Sequence, residues 1–282
     1  MHTIKLAFPL LLALTGACAQ AGVIPVLGAA QQVAVLGGES VTNTGTTTLH
    51  GDLSVASGTA ATGANGIRFA GGGAIHEGDA LAGQAQSDAQ AAYGRLAAMG
   101  AGTDLTGQDL GTLGILSSGV YRFASSAALT GALTIDFAND PNGVIVFQIG
   151  STLGTAAGSM VNVINGTSSN GIYFLVGSSA TLGAASTFAG NILALDNVSF
   201  GAAASIGCGR ALAATVTMDG NTVSNDCNAW SPSGFGSDYG SAGYSGFGVA
   251  AVPPGEVPEP ATLALFGLGL CAAASLRPRR RA

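Results

Sequence analysis

The chain has 282 residues, of which 48% are hydrophobic, 45 are glycine and only 9% are charged, against about 25% charged in an ordinary globular domain. That much apolar residue excludes a disordered polar tract, and glycine without a G-X-Y repeat excludes collagen. Away from the two ends the cations are Arg68, Arg95, Arg122 and Arg210, with no lysine, against fourteen acids once Glu259 is set aside; without a basic stripe, nucleic acid is excluded as a partner.

Residues 1–19 read as a secretory signal peptide, with Lys5 near the start, an apolar core over 6–14 and Ala17-Cys18-Ala19 as the cleavage motif for signal peptidase. Thr15-Gly16-Ala17 before Cys18 leaves a lipobox open as an alternative. Residues 23–73 are strand-and-turn text, in which QVAVLGGESVTNTGTTTLHGDLSV alternates apolar and polar residues between Gly and Asn punctuation. Over 77–99 the composition shifts to Ala and Gln, without proline. Leu81, Ala85, Ala92, Leu96 and Met99 are spaced for one narrow apolar stripe, with Glu77 and Asp79 near the start and Gly100 as a stop. That pattern predicts a helix. Gly83 and Gly94 weaken it, so it needs tertiary support.

From residue 102 to 228 the strand text resumes and repeats. Phe123, Phe147, Phe174 and Phe200 recur at a nearly constant interval, each leading into a tract of Gly, Ala, Ser and Thr. Self-similarity at such a period marks a stacked array whose units bury their apolar faces against their neighbours. The expected fold is mostly β: a right-handed parallel β-solenoid (β-helix) of about seven coils over residues 23–228, with one long α-helix packed alongside. The four phenylalanines are the expected core anchors of successive coils. A helix over 77–99 would be about 35 Å long, which spans roughly seven strand layers about 4.8 Å apart.

Trp230 is followed by SPSGFGSDYGSAGYSGFG, a flexible Gly/Ser-rich linker by composition, so 229–256 is assigned as linker. Val257-Pro258-Glu259-Pro260, an apolar stretch over 261–276, and Arg277, Arg279, Arg280 and Arg281 then follow in order. Together, residues 257–282 resemble the PEP-CTERM sorting signal of Gram-negative bacteria. The resemblance implies processing by an exosortase and export to the cell surface or extracellular space, with a transient or retained C-terminal membrane segment; a plain membrane anchor is the alternative. Cys18 and Cys271 fall in segments expected to be removed, which leaves Cys208 and Cys227 as an even pair in an oxidising compartment. They are expected to form a disulfide, worth about 3 kcal/mol on the chain-entropy account.

Catalytic chemistry is hard to find. The mature chain has two histidines, His50 beside Gly51-Asp52 and His76 at the start of the predicted helix. The first reads as a surface or turn residue and the second as solvated. Asp136 and Asp140 form the closest acidic pair in the repeats, but they flank Asn139, Pro141 and Asn142, and turn formation explains them better than acid–base work. No enzyme activity, metal site or cofactor is expected.

The order of pieces resembles the ice-binding-protein-like (antifreeze) family. The resemblance is carried by VTNTGTTTLHGDLSV at 41–55, the Ala- and Gln-rich helix, SSGVYRFASSAALTGALTID at 117–136, DPNGVIVFQIGSTLGTAAGS at 140–159, NILALDNVSF at 191–200 and GRALAATVTMDGNTV at 209–223. It implies a discontinuous β-solenoid with a helix alongside, and adsorption to an ice surface that restrains growth or recrystallisation. In a solenoid the same face of successive coils stacks about 4.8 Å apart, so small hydroxyl and methyl side chains on one face form an uncharged grid able to order water. The candidates for such an ice-binding face are Thr130, Thr134, Thr152, Thr155, Thr181, Thr187, Asn191, Thr215 and Thr217. A second reading is a non-enzymatic surface structural or adhesion protein, with extracellular polysaccharide as partner, which the sorting signal by itself favours.

Overall fold

The computed structural model describes residues 27–225 except 58–60, 101, 139, 141–142 and 167–169. The signal peptide, Cys227, the linker and the sorting signal lie outside the described residues.

Among the described residues, 20 strands belong to one hydrogen-bonded sheet with parallel pairing, which winds around the core as three ladders. Along the stack, the first ladder runs Thr103–Asp104, Gly119–Phe123, Val144–Ile149, Gly171–Val176, 191–194, 211–213, 35–37, 53–55 and Ile75–Glu77. The second runs Ala127–Leu129, Leu153–Thr155, Ala180–Leu182, Asn197–Phe200, 215–219, 40–44 and Ala61–Thr62. The third runs Ile115–Leu116, Ala132–Asp136, Met160–Ile164, 187–188, 205–206, Thr222–Ser224, Thr47–His50 and Ile67–Ala70.

Three long strands bend from ladder to ladder: Thr187–Ala194, Ser205–Asp219 and Val33–Thr44. The first two turn from the third ladder to the first over Gly190 and Gly209. Gly190 sits at φ +114, where a Cβ would lie 2.6 Å from the Ile172 side chain, and a Cβ on Gly209 would fall on the carbonyl of Gly190. Only glycine lets two coils turn so closely on one another.

Sequence order and stacking order differ. The strand Val33–Thr44 inserts between Ser205–Asp219 on one side and the strands Asp52–Val55 and Ala61–Thr62 on the other, so the first coil stacks on the last. The helix (Ala80–Ala97) then connects the outermost strand at one end, Ile75–Glu77, to the outermost strand at the other, Thr103–Asp104. It is shorter than the predicted 77–99 because Ile75–Glu77 is claimed by the sheet and Asp79 caps the first turn, accepting from the Ala82 N–H at 2.8 Å. Ala82, Ala85, Ala89, Ala92 and Leu96 form the buried stripe, whereas Met99 is 40% exposed. The methyl-sized side chains let the helix lie close against Leu36, Val146, Tyr173, Leu193 and Leu212 on the outward side of the first ladder. Its C-terminal carbonyls are capped from the sheet, where Gln148 Nε2 donates to Leu96 O at 3.0 Å and Met99 O at 3.1 Å.

The four repeat phenylalanines are all buried, yet they do not occupy one column. Phe147 and Phe174 are in register and stack at 4.5 Å, with Tyr121 and Phe188 continuing the aromatic column at 5.6 and 4.7 Å. Phe123 lies opposite Ile149, and Phe200 lies in the second ladder opposite Leu182. Coil length varies: Phe147 pairs with Phe174, but Phe174 pairs with Ile192, a much shorter step along the chain. The glycine corners are what allow the shorter coils.

Where the first and last coils meet, Arg210 is buried to 1% exposure. Its Nε donates to Gln31 O at 3.0 Å, Nη2 also reaches Gln31 O, and Nη1 donates to Asn191 Oδ1 at 3.0 Å. Burial pulls its pKa down to about 10, with the nearby Tyr173 hydroxyl opposing that shift, so it stays cationic at neutral pH. Arg210→Leu would leave these buried acceptors without their donor and is expected to cost about 2–4 kcal/mol in urea unfolding. Gly209→Val, which adds a clash at a corner, should destabilise by at least about 2 kcal/mol in the same assay.

Candidate functional site

Strand alternation in the second ladder divides its side chains into two sets. The inward set is buried and includes Leu129, Leu153, Ala180, Leu182, Val198, Phe200, Val216 and Val41. The outward set is small and, apart from Asp219 on one flank, uncharged. Its central column runs Ala128, Gly154, Thr181, Ser199, Thr217, Thr42 and Thr62 through successive rungs. Two residues earlier on the strands, a second column holds Ser126, Thr152, Ser179, Asn197, Thr215 and Ser40. On the other flank stand Thr130, Asp219 and Thr44, with Asp109 beyond Thr130 at the end of the stack.

Neighbouring rungs are about 4.8 Å apart and successive outward residues on one strand about 6.7 Å apart, so the columns make a regular grid. Hydrogen bonds between rungs hold it. Thr152 Oγ1 donates to Ser126 Oγ at 2.8 Å, Asn197 Nδ2 to Thr215 Oγ1 at 2.8 Å, and Thr217 Oγ1 to Ser199 Oγ at 3.1 Å. At the end of the stack, Asp109 takes the place of a further rung, accepting from Thr130 Oγ1 at 2.6 Å and from the N–H groups of Thr130 and Gly111.

Of the residues singled out by sequence, Thr130, Thr152, Thr181, Thr215 and Thr217 lie together on this outward face. Thr134 and Thr187 belong to the third ladder, opposite Asn162 and Met160. Thr155 points inward at 9% exposure, its hydroxyl accepting from the Gly183 N–H at 2.9 Å. Asn191 is fully buried, donating to Ile172 O at 3.1 Å and accepting from Arg210, so it cannot touch an external surface. Thr42, Thr62 and Ser199 are members of the face that the repeat spacing did not reveal. The signal for Thr42 was its alternation in Ser40-Val41-Thr42, which matches Thr215-Val216-Thr217 across the seam.

The histidines and the acidic pair singled out by sequence lie away from this face. His76 is not simply solvated: its Nδ1 sits 2.7 Å from Asp79 Oδ2 and its Nε2 3.8 Å from Asp52. The Ala82 N–H and His76 hold the Asp79 carboxyl below its ordinary range. His50 lies in the third ladder between Ser224 and Ala70. Asp136 and Asp140 bracket a turn, with Asp140 N–H donating to Phe137 O at 3.0 Å and Gly143 N–H to Asp140 O at 2.9 Å. Asp136 is held low by the Asn165 side chain and the Ala138 N–H. Among the described residues no group of three or more His, Cys, Asp or Glu is placed to hold a metal ion.

Fold and face together define a class: a discontinuous parallel β-solenoid, braced by one helix, that presents a hydroxyl-rich grid to solvent. Residues 35–224 match the family model described as ice-binding-like, and the chain belongs to that family. An ice-binding protein from Nostoc sp. (strain HG1) is 49% identical over 211 residues, covering 74% of this chain and 77% of the relative. The crystal structure of an ice-binding protein from the Antarctic ascomycete Antarctomyces psychrotrophicus superposes with a TM-score of 0.66 at 36% identity, covering 70% of this chain and 96% of the other. An ice-binding protein from an Antarctic biological consortium gives 0.65 at 35% identity, covering 79% and 96%. Residues 256–281 match the PEP-CTERM protein-sorting motif, which supports export.

The carboxylates give a pH signature. Burial pushes Asp109 up, but the Thr130 hydroxyl and the Thr130 and Gly111 N–H groups outweigh it, and the net shift is downward. Asp104 is held down by the Thr106 hydroxyl and N–H. For each lowered group the added stability is complete above its unfolded pKa, about 3.9, and is lost as pH falls through the lower folded value. Thermal midpoints are therefore expected to be flat with respect to these groups from about pH 7 to 5 and to drop below about pH 4. In Asp109→Asn the drop should be smaller and the neutral-pH midpoint lower.

Proposed function

We propose that this chain is an exported, non-catalytic ice-binding protein that adsorbs to ice through the outward face of the second ladder. The observation that carries the reading is the registered pair of columns centred on Thr181, Ser199 and Thr217, which holds hydroxyls and methyls in a repeating grid without a charged side chain in either column. Threonine methyls restrict the water beside them while the hydroxyls anchor it, so first-layer water takes up an ordered arrangement that can merge with a growing lattice. Because the side chains are fixed by strand pairing and by each other, adsorption loses little conformational entropy. A sequence relative carries the name ice-binding protein, and solved ice-binding proteins share the fold, which supports the same activity here.

The residues proposed for the contact are Thr130, Thr152, Thr181, Thr215 and Thr217, joined by Thr42, Thr62 and Ser199. Thr134 and Thr187, on another ladder, are left out. The sorting motif supports processing by an exosortase and a cell-surface or extracellular location. It also favours the second reading, a matrix protein whose partner is extracellular polysaccharide. We further propose that Cys208 pairs with Cys227, which is supported by the buried, disulfide-bonded state of Cys208.

Ice recrystallisation assays separate the two functions, because unaltered ice growth at high concentrations of the chain would eliminate the ice reading. Where activity is found, Thr181→Tyr and Thr217→Tyr should each lower it by at least about tenfold, since one bulky ring at the centre of a flat contact holds its neighbours off the surface. Thr134→Tyr should leave activity within about twofold of the parent, because it lies on a different ladder. Matching circular dichroism and melting curves would show that each variant is folded.

A further inference from the structure

The place where the described chain ends is fixed by the register of the last described strand. Thr222–Ser224 lies in the third ladder between residues 205–206 and Thr47–His50, with further rungs on both sides. In the coil before it, the chain passes from the third ladder to the first at Gly209, and Asn225 sits just before the corresponding corner. Asn225 is pinned there: its N–H donates to His50 O at 3.0 Å and its Nδ2 to Gln32 O at 2.8 Å. Of the three edges of the solenoid, this one alone does not border the second ladder. The described chain therefore ends opposite the threonine face, on a rung with two further rungs, Thr47–His50 and Ile67–Ala70, beyond it on one side and the rest of the ladder on the other.

We propose that this geometry makes the chain a tension-resisting ice anchor: held by its C-terminus, it attaches whatever carries that terminus to ice, with tension passing through the body normal to the binding face. The anchor rests on the ice-binding reading above. The physical reason is the direction of the load. A tether at an end coil would lift the face from that end and break its contacts rank by rank, whereas a tether opposite the interior of the face loads many ranks at once, and contacts that must fail together hold far more than contacts that fail in turn. This end of the described chain is also built to take force. The last strand is paired on both edges, Arg210 ties the coil beneath it to Gln31, and the proposed Cys208–Cys227 bond would pass tension to the Ser205–Asp219 strand without unzipping Thr222–Ser224.

The test compares two tethers on the full chain. A biotin-acceptor peptide is placed after Ala282, or inserted between Gly71 and Gly72, an exposed turn on the same edge but in the outermost coil, where it has open space around it. Streptavidin beads carrying each form are pulled from an ice surface, and both forms are assayed untethered for inhibition of recrystallisation. The expected result is equal activity in solution and a detachment force at least about twofold higher for the C-terminal tether, as many ranks share the load. An equal or lower force from the C-terminus, with both forms active in solution, overturns the anchor and leaves ice binding intact. Inactivity of both forms in solution overturns the ice reading, and the anchor with it.

Discussion

The pairing of Val33–Thr44 with Ser205–Asp219 joins two stacks that would otherwise each end in an open sheet edge. One stack is built from the N-terminal coils, the other from the coils after the helix, and an unpaired parallel edge exposes a row of donors and acceptors ready to join another chain. The seam satisfies both edges at once, over eight registered residue pairs that span first and second ladders. Arg210 locks it from the side by donating to Gln31 and Asn191. A buried guanidinium is tolerated there because its N–H groups find acceptors, among them the carbonyl oxygens of Gln31 and Asn191.

The three ladders acquire different roles from what lies outside them. The first is covered by the alanine stripe of the helix and becomes an interior surface. The third presents mixed chemistry, with Arg68, His50 and Met160 on its rungs. The second is left with a central column of small, uncharged outward side chains in register across the seam, from Ala128 to Thr62. Its regularity is inherited from the core, because each outward hydroxyl is held between inward residues such as Val198 and Phe200 that are fully packed. The outward grid is thus the outer surface of the same alternation that fills the inside.

Chain topology links the seam to the anchor. Because the first coil stacks on the last, the last described strand has neighbours on both sides and ends within the stack. A solenoid wound in simple sequence order would release its C-terminus at an end.

The sequence by itself determined the local features. Alternation of apolar and small polar residues has a period of two and is written within each strand, so the outward position of Thr152, Thr181, Thr215 and Thr217 was legible, as was the alanine-rich helix that needs a sheet to lie on. The repeat of phenylalanine and small-residue tracts was enough to imply stacking. Only the tertiary structure decided which coils are neighbours and where each turns. Long and short coils look alike to an averaged spacing, yet the shorter ones turn over Gly190 and Gly209, and that sends Asn191 to the interior and Thr187 to another ladder. The placement of Thr42 and Thr62 beside Thr217 depends on a contact between segments from the two ends of the folded chain. No periodicity encodes that contact: it is chosen by the mutual satisfaction of two open edges, a property of the assembled sheet and not of any segment.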